Sequence, residues 1–346
     1  MIEYILILFF LILWSVVIKK NLGQYDIFLS TLVLMLFFSM RNYTVGTDTI
    51  VYVSNFRSYV DASYYVINPD VEYGYQLYEK FILSFTKNYF WFFFIISFFV
   101  ISSYLYTIRK ISINYILSLY VYITFGFYTF FFNGLRQGVA MAICFFGLPY
   151  LIDKRIIVYS FIVFIASFFH ISALVMIPLY FIVNSKFKLE LKFFVCLLTS
   201  ILLSQVLIEY FSQNNLRYEH YAEESEKSGG YLTLIFYSLI GLVVYFSGTK
   251  IRQIDISFNK FEQILLCGLA LVLPIALLGT DPSGPQRILY YFVSTVIFLI
   301  PFLLRKYESI YLKLLFIILS FIYFILITMR FSNLYPYTIN PIFEIF

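Results

Sequence analysis

The sequence predicts an all-α polytopic integral membrane protein, and three observations carry that expectation. Of its 346 residues, 62% are hydrophobic and only 12% charged, with a mean hydropathy of +0.87. A water-soluble fold of this size still exposes about a quarter of its chain's surface, and this chain has too few polar residues to cover it. The apolar residues fall into runs near the roughly 20 residues that a helix needs to cross hydrocarbon. Lys and Arg gather between those runs rather than within them, the usual mark of membrane topology.

In chain order the runs are Tyr4–Ile18, Ile27–Met40, Tyr89–Ile108, Ile113–Phe132, Gly134–Ile152, Ile156–Val183, Leu191–Tyr210, Tyr231–Phe246, Phe261–Gly279, Arg287–Leu304 and Tyr311–Met329. The first lacks a basic region on its N-terminal side and a small-residue cleavage site, so it reads as a spanning helix rather than a removed signal. No internal repeat and no Gly/Ser linker interrupts the series, so residues 1–346 read as a single transmembrane domain.

Orientation follows from the basic residues. Lys19/Lys20, Arg109/Lys110 and Lys154/Arg155 close the first, third and fifth runs; Lys186/Lys188/Lys192, Lys250/Arg252/Lys260 and Arg305/Lys306/Lys313 follow later runs. If Ile156–Val183 crosses once, the later clusters fall opposite the earlier ones. If it enters and leaves on one side, all six clusters share one face, as the positive-inside rule favours. Each half of that run would be about 21 Å long at 1.5 Å per residue, too short for a core about 30 Å thick. The expectation is therefore about ten spanning helices plus a re-entrant helical hairpin at Ile156–Val183 with His170 near its tip; one long tilted helix is the alternative. A tip of that kind must be buried in protein or line a wet cavity. Ser167 and Ser172, flanking His170, suit the latter.

On this topology both termini and the loops at 41–88 and 211–230 lie outside. The 41–88 loop opens RNYTVGTDTIVYVSNF. Asp48 reads as an N-cap, and Tyr52, Phe56 and Tyr59 recur at helical spacing, marking an amphipathic helix in the interface. NPDVEYGYQLYEKF, carrying Glu72, reads as a turn and a second amphipathic helix. The 211–230 loop is polar, acidic and flexible, and Glu223, Glu224 and Glu226 read as its solvated face. Pro285 in DPSGPQR stands near the start of the Arg287 helix, a helix N-terminus suited to an anion.

Candidate chemistry rests on few groups. Arg41, Arg136 and Arg287 sit at the outer ends of apolar runs, with His170 midway along another and Asp48 and Glu72 in the first outer loop. An ionisable group inside such a run costs about 2.5–3.5 kcal/mol at a helix centre on insertion scales. Arg136 can equally be an interface anchor, and His170 a satisfied interior histidine. As ligands, guanidinium forks bind phosphate oxygens bidentately and never lose charge, which fits a membrane-borne phosphate or pyrophosphate substrate. P-loop, HExxH and GxSxG motifs are absent. Cys144, Cys196 and Cys267 stand singly, so neither a disulfide framework nor a cysteine metal cluster is expected. The net charge of +5 reads as topology rather than nucleic-acid binding. Asp48, Glu72 and Asp281 are scattered singly, which predicts no metal cage and no cofactor, with arginines taking the leaving group's charge.

RNYTVGTDTIVYVSNF, EYGY, GLRQGVA, FFHISALVMIPLY, RYEHY and QRILYYF, in that order from Arg41 to Phe292, resemble the EpsG-type branch of Wzy-like exopolysaccharide and O-antigen polymerases. The resemblance implies a multi-pass enzyme of the bacterial inner membrane with its site on the periplasmic side. It would move a growing glycan from undecaprenyl pyrophosphate to a hydroxyl of a lipid-linked repeat unit. On that implication Arg136, Arg287 and Arg41 hold the pyrophosphate, and His170, Asp48 or Glu72 supplies the base. Tyr52, Tyr218 and Tyr221 contact sugars; the partners are lipid-linked donor and acceptor, the bilayer, a chain-length regulator and export proteins. An O-antigen ligase-like transferase shares donor and geometry. A lipid-linked oligosaccharide flippase would show two repeated halves and short loops, and a non-catalytic scaffold of the export complex is the remaining alternative.

Overall fold

The structure, a computed structural model, describes residues 1–18, 25–214, 229–278, 284–307 and 309–343. Among these the chain is helical throughout, with one isolated antiparallel bridge between Arg41 and Ile339. It falls into two compact units: Met1–Leu148 with Ile162–Ala173 and Glu308–Phe346, and Pro149–Phe161 with Leu174–Tyr307.

In the first unit α1 (Ile2–Ile18) packs on α2 (Tyr25–Ser39), and α2 packs along α5 (Tyr89–Ile111). The Asn88 side chain caps α5 by accepting from Phe90 N–H at 3.0 Å, and Arg109 and Lys110 occupy its last turn, where cations suit the helix dipole. The run expected at Ile113–Phe132 is broken at Phe125–Gly126 into α6 (Tyr115–Thr124) and α7 (Phe127–Asn133). After Gly134 the chain starts α8 (Leu135–Ile152), so Arg136 lies in that helix's first turn.

Both amphipathic helices expected in the 41–88 loop are present. α3 (Thr49–Ser58) buries Thr49, Val53 and Phe56; α4 (Tyr73–Leu83) buries Tyr75, Gln76, Glu79, Ile82 and Leu83. Asp48 occupies the N-cap position of α3 but makes no capping hydrogen bond; its Oδ1 accepts from the Thr47 hydroxyl at 2.9 Å. That corrects the expected cap.

The aromatic C-terminal segment, beyond α17 (Ile310–Leu326), straps across the start of this loop. Asn42 N–H donates to Thr338 O at 2.8 Å, Asn340 N–H to Met40 O at 2.7 Å, and Tyr337 stacks on Phe37 at 4.3 Å between centroids.

In the second unit α14 (Ile256–Leu277), capped by the Asp255 side chain, is the central helix. Around it pack α10 (Met176–Asn184), α11 (Leu189–Asn214), α12 (Gly229–Ser247), the short α13 (Thr249–Ile254), α15 (Leu289–Val293) and α16 (Val296–Lys306). The Arg252 guanidinium forks onto the fully buried Glu262, at 2.5 Å from Nε and 2.7 Å from a terminal nitrogen. Lys192 and Lys260 both donate to Val183 O, at 3.1 and 2.8 Å, closing the carbonyl end of α10.

The Ile156–Val183 run is not one long helix. α9 (Ile156–Ser167) ends in tight turns at Phe168–His170, a 3-10 turn covers Ile171–Val175, and α10 leads back. Tyr159 stacks on Tyr180 at 5.4 Å and donates to Met176 O at 3.4 Å, while the Asn184 amide donates to Leu151 O at 3.3 Å. The far end of α10 thus lies beside Leu151, at the end of α8 just before the run begins. The turn needs neither Gly nor Pro, because the last carbonyls of α9 accept tightened bonds from Phe168 and Phe169 and an ordinary helical bond from His170.

Six helical segments are long and apolar enough to cross a membrane: α5, the broken α6–α7, α8, residues 189–206 of α11, α14, and Ile310–Arg330. The bent pair Pro285–Val293 and Val296–Lys306, at 42°, makes a seventh. α1, α2 and α12 are apolar, but their apolar segments are shorter, so the expected count of about ten comes down by length to six or seven among the described residues.

The hairpin geometry predicts that single cysteines at Asp153 and Lys186, in a background without the native cysteines, behave alike toward a membrane-impermeant thiol reagent in intact cells. Labelling at one site only would contradict it.

Candidate functional site

α8 opens with two sources of positive charge. Its first-turn N–H groups lack partners within the helix, and the macrodipole places partial positive charge there. A guanidinium in that turn adds to this potential, so an anion is required. In the structure the anion is Glu72, the residue just before α4, in direct contact with the Arg136 guanidinium. The Arg136 and Glu72 side chains are 14% and 11% exposed, so solvent screens the pair weakly. Removing one partner from a buried pair strands the other charge at a cost of about 3–5 kcal/mol.

Glu72 serves this contact rather than helix capping: it sits at the N-cap of α4 without a side-chain capping bond. Its second oxygen, Oε1, is buried and has no hydrogen-bond partner among the described residues. An unsatisfied buried acceptor costs about 1–3 kcal/mol, so the arrangement is not optimised for stability.

Arg136 also approaches the face of Tyr75, at 5.9 Å from the ring centroid. One turn further along the same face of α4 lies Glu79, only 4% exposed. Tyr65 donates to its Oε2 at 2.7 Å and Tyr75 to its Oε1 at 3.4 Å. Burial raises the Glu79 pKa above its ordinary 4.5, opposed in part by those two hydroxyls and by Arg136. Burial and the adjacent Glu79 raise the Tyr65 phenol as well. The spacing of Glu79, seven residues after Glu72 in an amphipathic segment, was the signal that could have brought it out of the sequence.

The turn bearing His170 lies against the start of α4. Gly74 N–H donates to Phe168 O at 2.9 Å, and a Cβ on Gly74 would stand 2.8 Å from that oxygen. The glycine of EYGY is therefore a contact surface for this turn. At His170, Nδ1 faces the Ser172 hydroxyl at 2.7 Å and the Ser172 backbone N–H at 3.3 Å. A backbone N–H can only donate, so the neutral ring that satisfies it carries its proton on Nε2. Such a ring carries an N–H donor at Nε2, which suits orienting an oxygen more than removing a proton.

Asn133, which was not expected, fixes the near side. Its Oδ1 accepts from Thr47 N–H at 2.9 Å, its amide donates to Ser332 O at 2.7 Å, and its carbonyl accepts from the Tyr52 hydroxyl at 3.4 Å. Gly46, at φ 100°, lets the loop pass against that side chain, and its N–H donates to Asn333 O at 2.9 Å. Asp48 follows directly, half-buried, and the Tyr52 ring meets that of Tyr75 edge-on at 6.2 Å.

The first unit thus brings Glu72 and Arg136 into contact, docks the His170 turn on α4, and holds Asp48 and Tyr52 at Asn133. Arg41 lies apart from this cluster. It is fully buried, its guanidinium 3.9, 4.2 and 4.6 Å from the ring centroids of Phe38, Phe93 and Phe132, and it donates to Phe38 O at 2.5 Å. Burial lowers its pKa to about 10. Cation–π contacts hold a charge there and leave no guanidinium surface for a pyrophosphate, which corrects the expectation. Arg287 belongs to the second unit, on a four-residue 3-10 turn, Pro285–Ile288. That turn runs directly into α15, so Pro285 stands at the first position of the helical segment Pro285–Val293, as expected. Tyr218, Tyr221 and Asp281 lie outside the described residues.

Together these features define an all-helical integral membrane protein with a charged, partly enclosed cluster where an extramembrane loop meets the start of an apolar helix. A model of the EpsG family matches residues 24–339, nearly the whole chain, and the protein belongs to that family. No curated protein and no solved structure matches it.

Glu79 generates a stability prediction. Because its folded pKa is raised, the folded state holds a proton that the unfolded chain releases near pH 4.5. Its contribution is greatest below that pH and declines as pH rises through the folded pKa. In melts from pH 4 to 8, the melting temperature of Glu79→Gln relative to wild type is expected to rise with pH. A pH-independent difference would contradict the assignment.

Proposed function

We propose that the protein is a membrane-embedded glycosyltransferase that polymerises polysaccharide repeat units, moving a growing glycan from undecaprenyl pyrophosphate to a hydroxyl of a lipid-linked unit. Family membership supports polymerisation of an exopolysaccharide type. The observation that carries the reading to a site is Arg136 in the first turn of α8, where guanidinium and helix dipole together favour an anion. In the reaction the acceptor oxygen bonds to the anomeric carbon as the bond from that carbon to phosphate oxygen breaks. The electron pair leaves with the lipid pyrophosphate, and the hydroxyl proton goes to a carboxylate or imidazole base. Fixed cations stabilise the departing charge without reorganising. Arg136 takes that role here. Arg287 is assigned phosphate binding on its sequence setting, and His170, through its Nε2 proton, orients an oxygen of either substrate. Asp48, Glu72 and Tyr52 contact acceptor or sugar hydroxyls.

On this reading α1, α2 and α12 also cross, giving ten spans, and the α9–α10 hairpin is re-entrant. The protein lies in the bacterial inner membrane with its site outward, working with a chain-length regulator and export proteins. The reaction is proposed to be metal-independent, with arginine in place of a divalent ion.

Deleting the protein should leave single lipid-linked repeat units, restored to polymer by wild type. Arg136→Lys and Arg287→Lys should each lose roughly 10²-fold or more of in vitro polymerisation in excess chelator, since lysine keeps charge but not the fork. Lipid-linked polymer accumulating in the deletion strain would indicate a ligase, and units trapped inside a flippase. Active Lys variants with a full metal requirement would make the arginines interface anchors.

A further inference from the structure

Resting on that reading, we propose that Glu72 is an internal stand-in for the substrate's pyrophosphate, displaced from Arg136 when the donor binds and thereby released to act as the base. Three observations carry this. Glu72 occupies the guanidinium at the position where α8 favours an anion. Its Oε1 is buried with no hydrogen-bond partner among the described residues, an acceptor placed for a donor group the protein itself does not supply. Its side chain contributes nothing to capping α4, so the contact with Arg136 is what its charge does in the resting protein.

A carboxylate and a pyrophosphate cannot share one guanidinium face without like-charge repulsion. The pyrophosphate carries more negative charge and more oxygens for the fork, so it prevails. Glu72 then stands ionised beside the leaving group. It takes the proton of the acceptor hydroxyl as that oxygen bonds to the anomeric carbon and the lipid pyrophosphate departs with the electron pair. After release of the lipid pyrophosphate and the proton, the ion pair reforms. Base activity is thus coupled to donor occupancy: while the site is empty, the carboxylate is neutralised by Arg136. Glu79 stays in place through the cycle, held by Tyr65 and Tyr75.

The test uses the full-length protein in phosphatidylcholine nanodiscs. Binding of inorganic pyrophosphate and of farnesyl pyrophosphate is measured by calorimetry, and polymerisation of lipid-linked repeat units in parallel. Glu72→Gln removes the competing charge and is expected to bind both probes at least about fivefold more tightly, while polymerisation falls about 10²–10⁴-fold, the usual range for a lost general base. Glu72→Asp, which keeps the charge one methylene shorter, should tighten binding less and retain part of the activity; it serves if the Gln variant does not fold. Wild-type binding that survives Arg136→Ala would overturn the pyrophosphate reading itself. Binding that needs Arg136 but is unchanged or weaker in Glu72→Gln would overturn the displacement alone. Tightening for the prenylated probe only, or tighter binding with normal polymerisation, would also overturn it.

Discussion

A charge held in surroundings that screen it poorly must be answered at close range, and the contact between Arg136 and Glu72 does this. Water would reduce the attraction between two such groups to about 1 kcal/mol at 4 Å, whereas a partly enclosed pair interacts several times more strongly. Arg136 is carried by an apolar helix and Glu72 by the extramembrane loop, so their contact ties the loop to the helix bundle of the first unit. The start of α8 adds positive potential of its own.

Neutral hydrogen bonds arrange what the ion pair alone leaves loose. Asn133 receives the loop through Thr47 and holds the C-terminal segment through Ser332. The same segment pairs with the chain on either side of Arg41, whose charge is answered by three aromatic faces rather than by a carboxylate. Arg41 and Arg136 illustrate two ways of keeping a cation out of water. One is sealed by ring quadrupoles and serves the fold. The other is answered by Glu72, an acid carried by the loop.

The second unit uses its cations differently. Lys192 and Lys260 converge on Val183 O and fasten the carbonyl end of α10, and Arg252 forks onto Glu262 beneath α13. The two lysines thus anchor the end of α10, and the arginine ties α13 to α14. In the first unit the turn that carries His170 meets α4 through Gly74, where only hydrogen fits against the Phe168 carbonyl.

Helix content, the apolar segments, the two amphipathic helices at 41–88 and the return of the Ile156–Val183 run were all legible from sequence. Each depends on hydropathy or charge summed over neighbouring residues, and such sums survive without knowing what packs against what. Arg136, His170, Glu72 and Asp48 stood out because a polar group beside a long apolar run is conspicuous. Which of them meet was decided by tertiary structure. Arg41 and Arg136 look alike in sequence, yet one is enclosed by Phe38, Phe93 and Phe132 and the other faces Glu72, residues up to 91 positions away. Glu79 did not stand out in the sequence, because the hydroxyls that meet it in the interior belong to Tyr65 and Tyr75 and only the fold brings Tyr65 there. Asn133 gave no local sign, since its work lies in bonds to Thr47 and Ser332, 86 and 199 residues distant. Pairing and burial belong to side chains converging in space, and a linear pattern records only the residues that can take part.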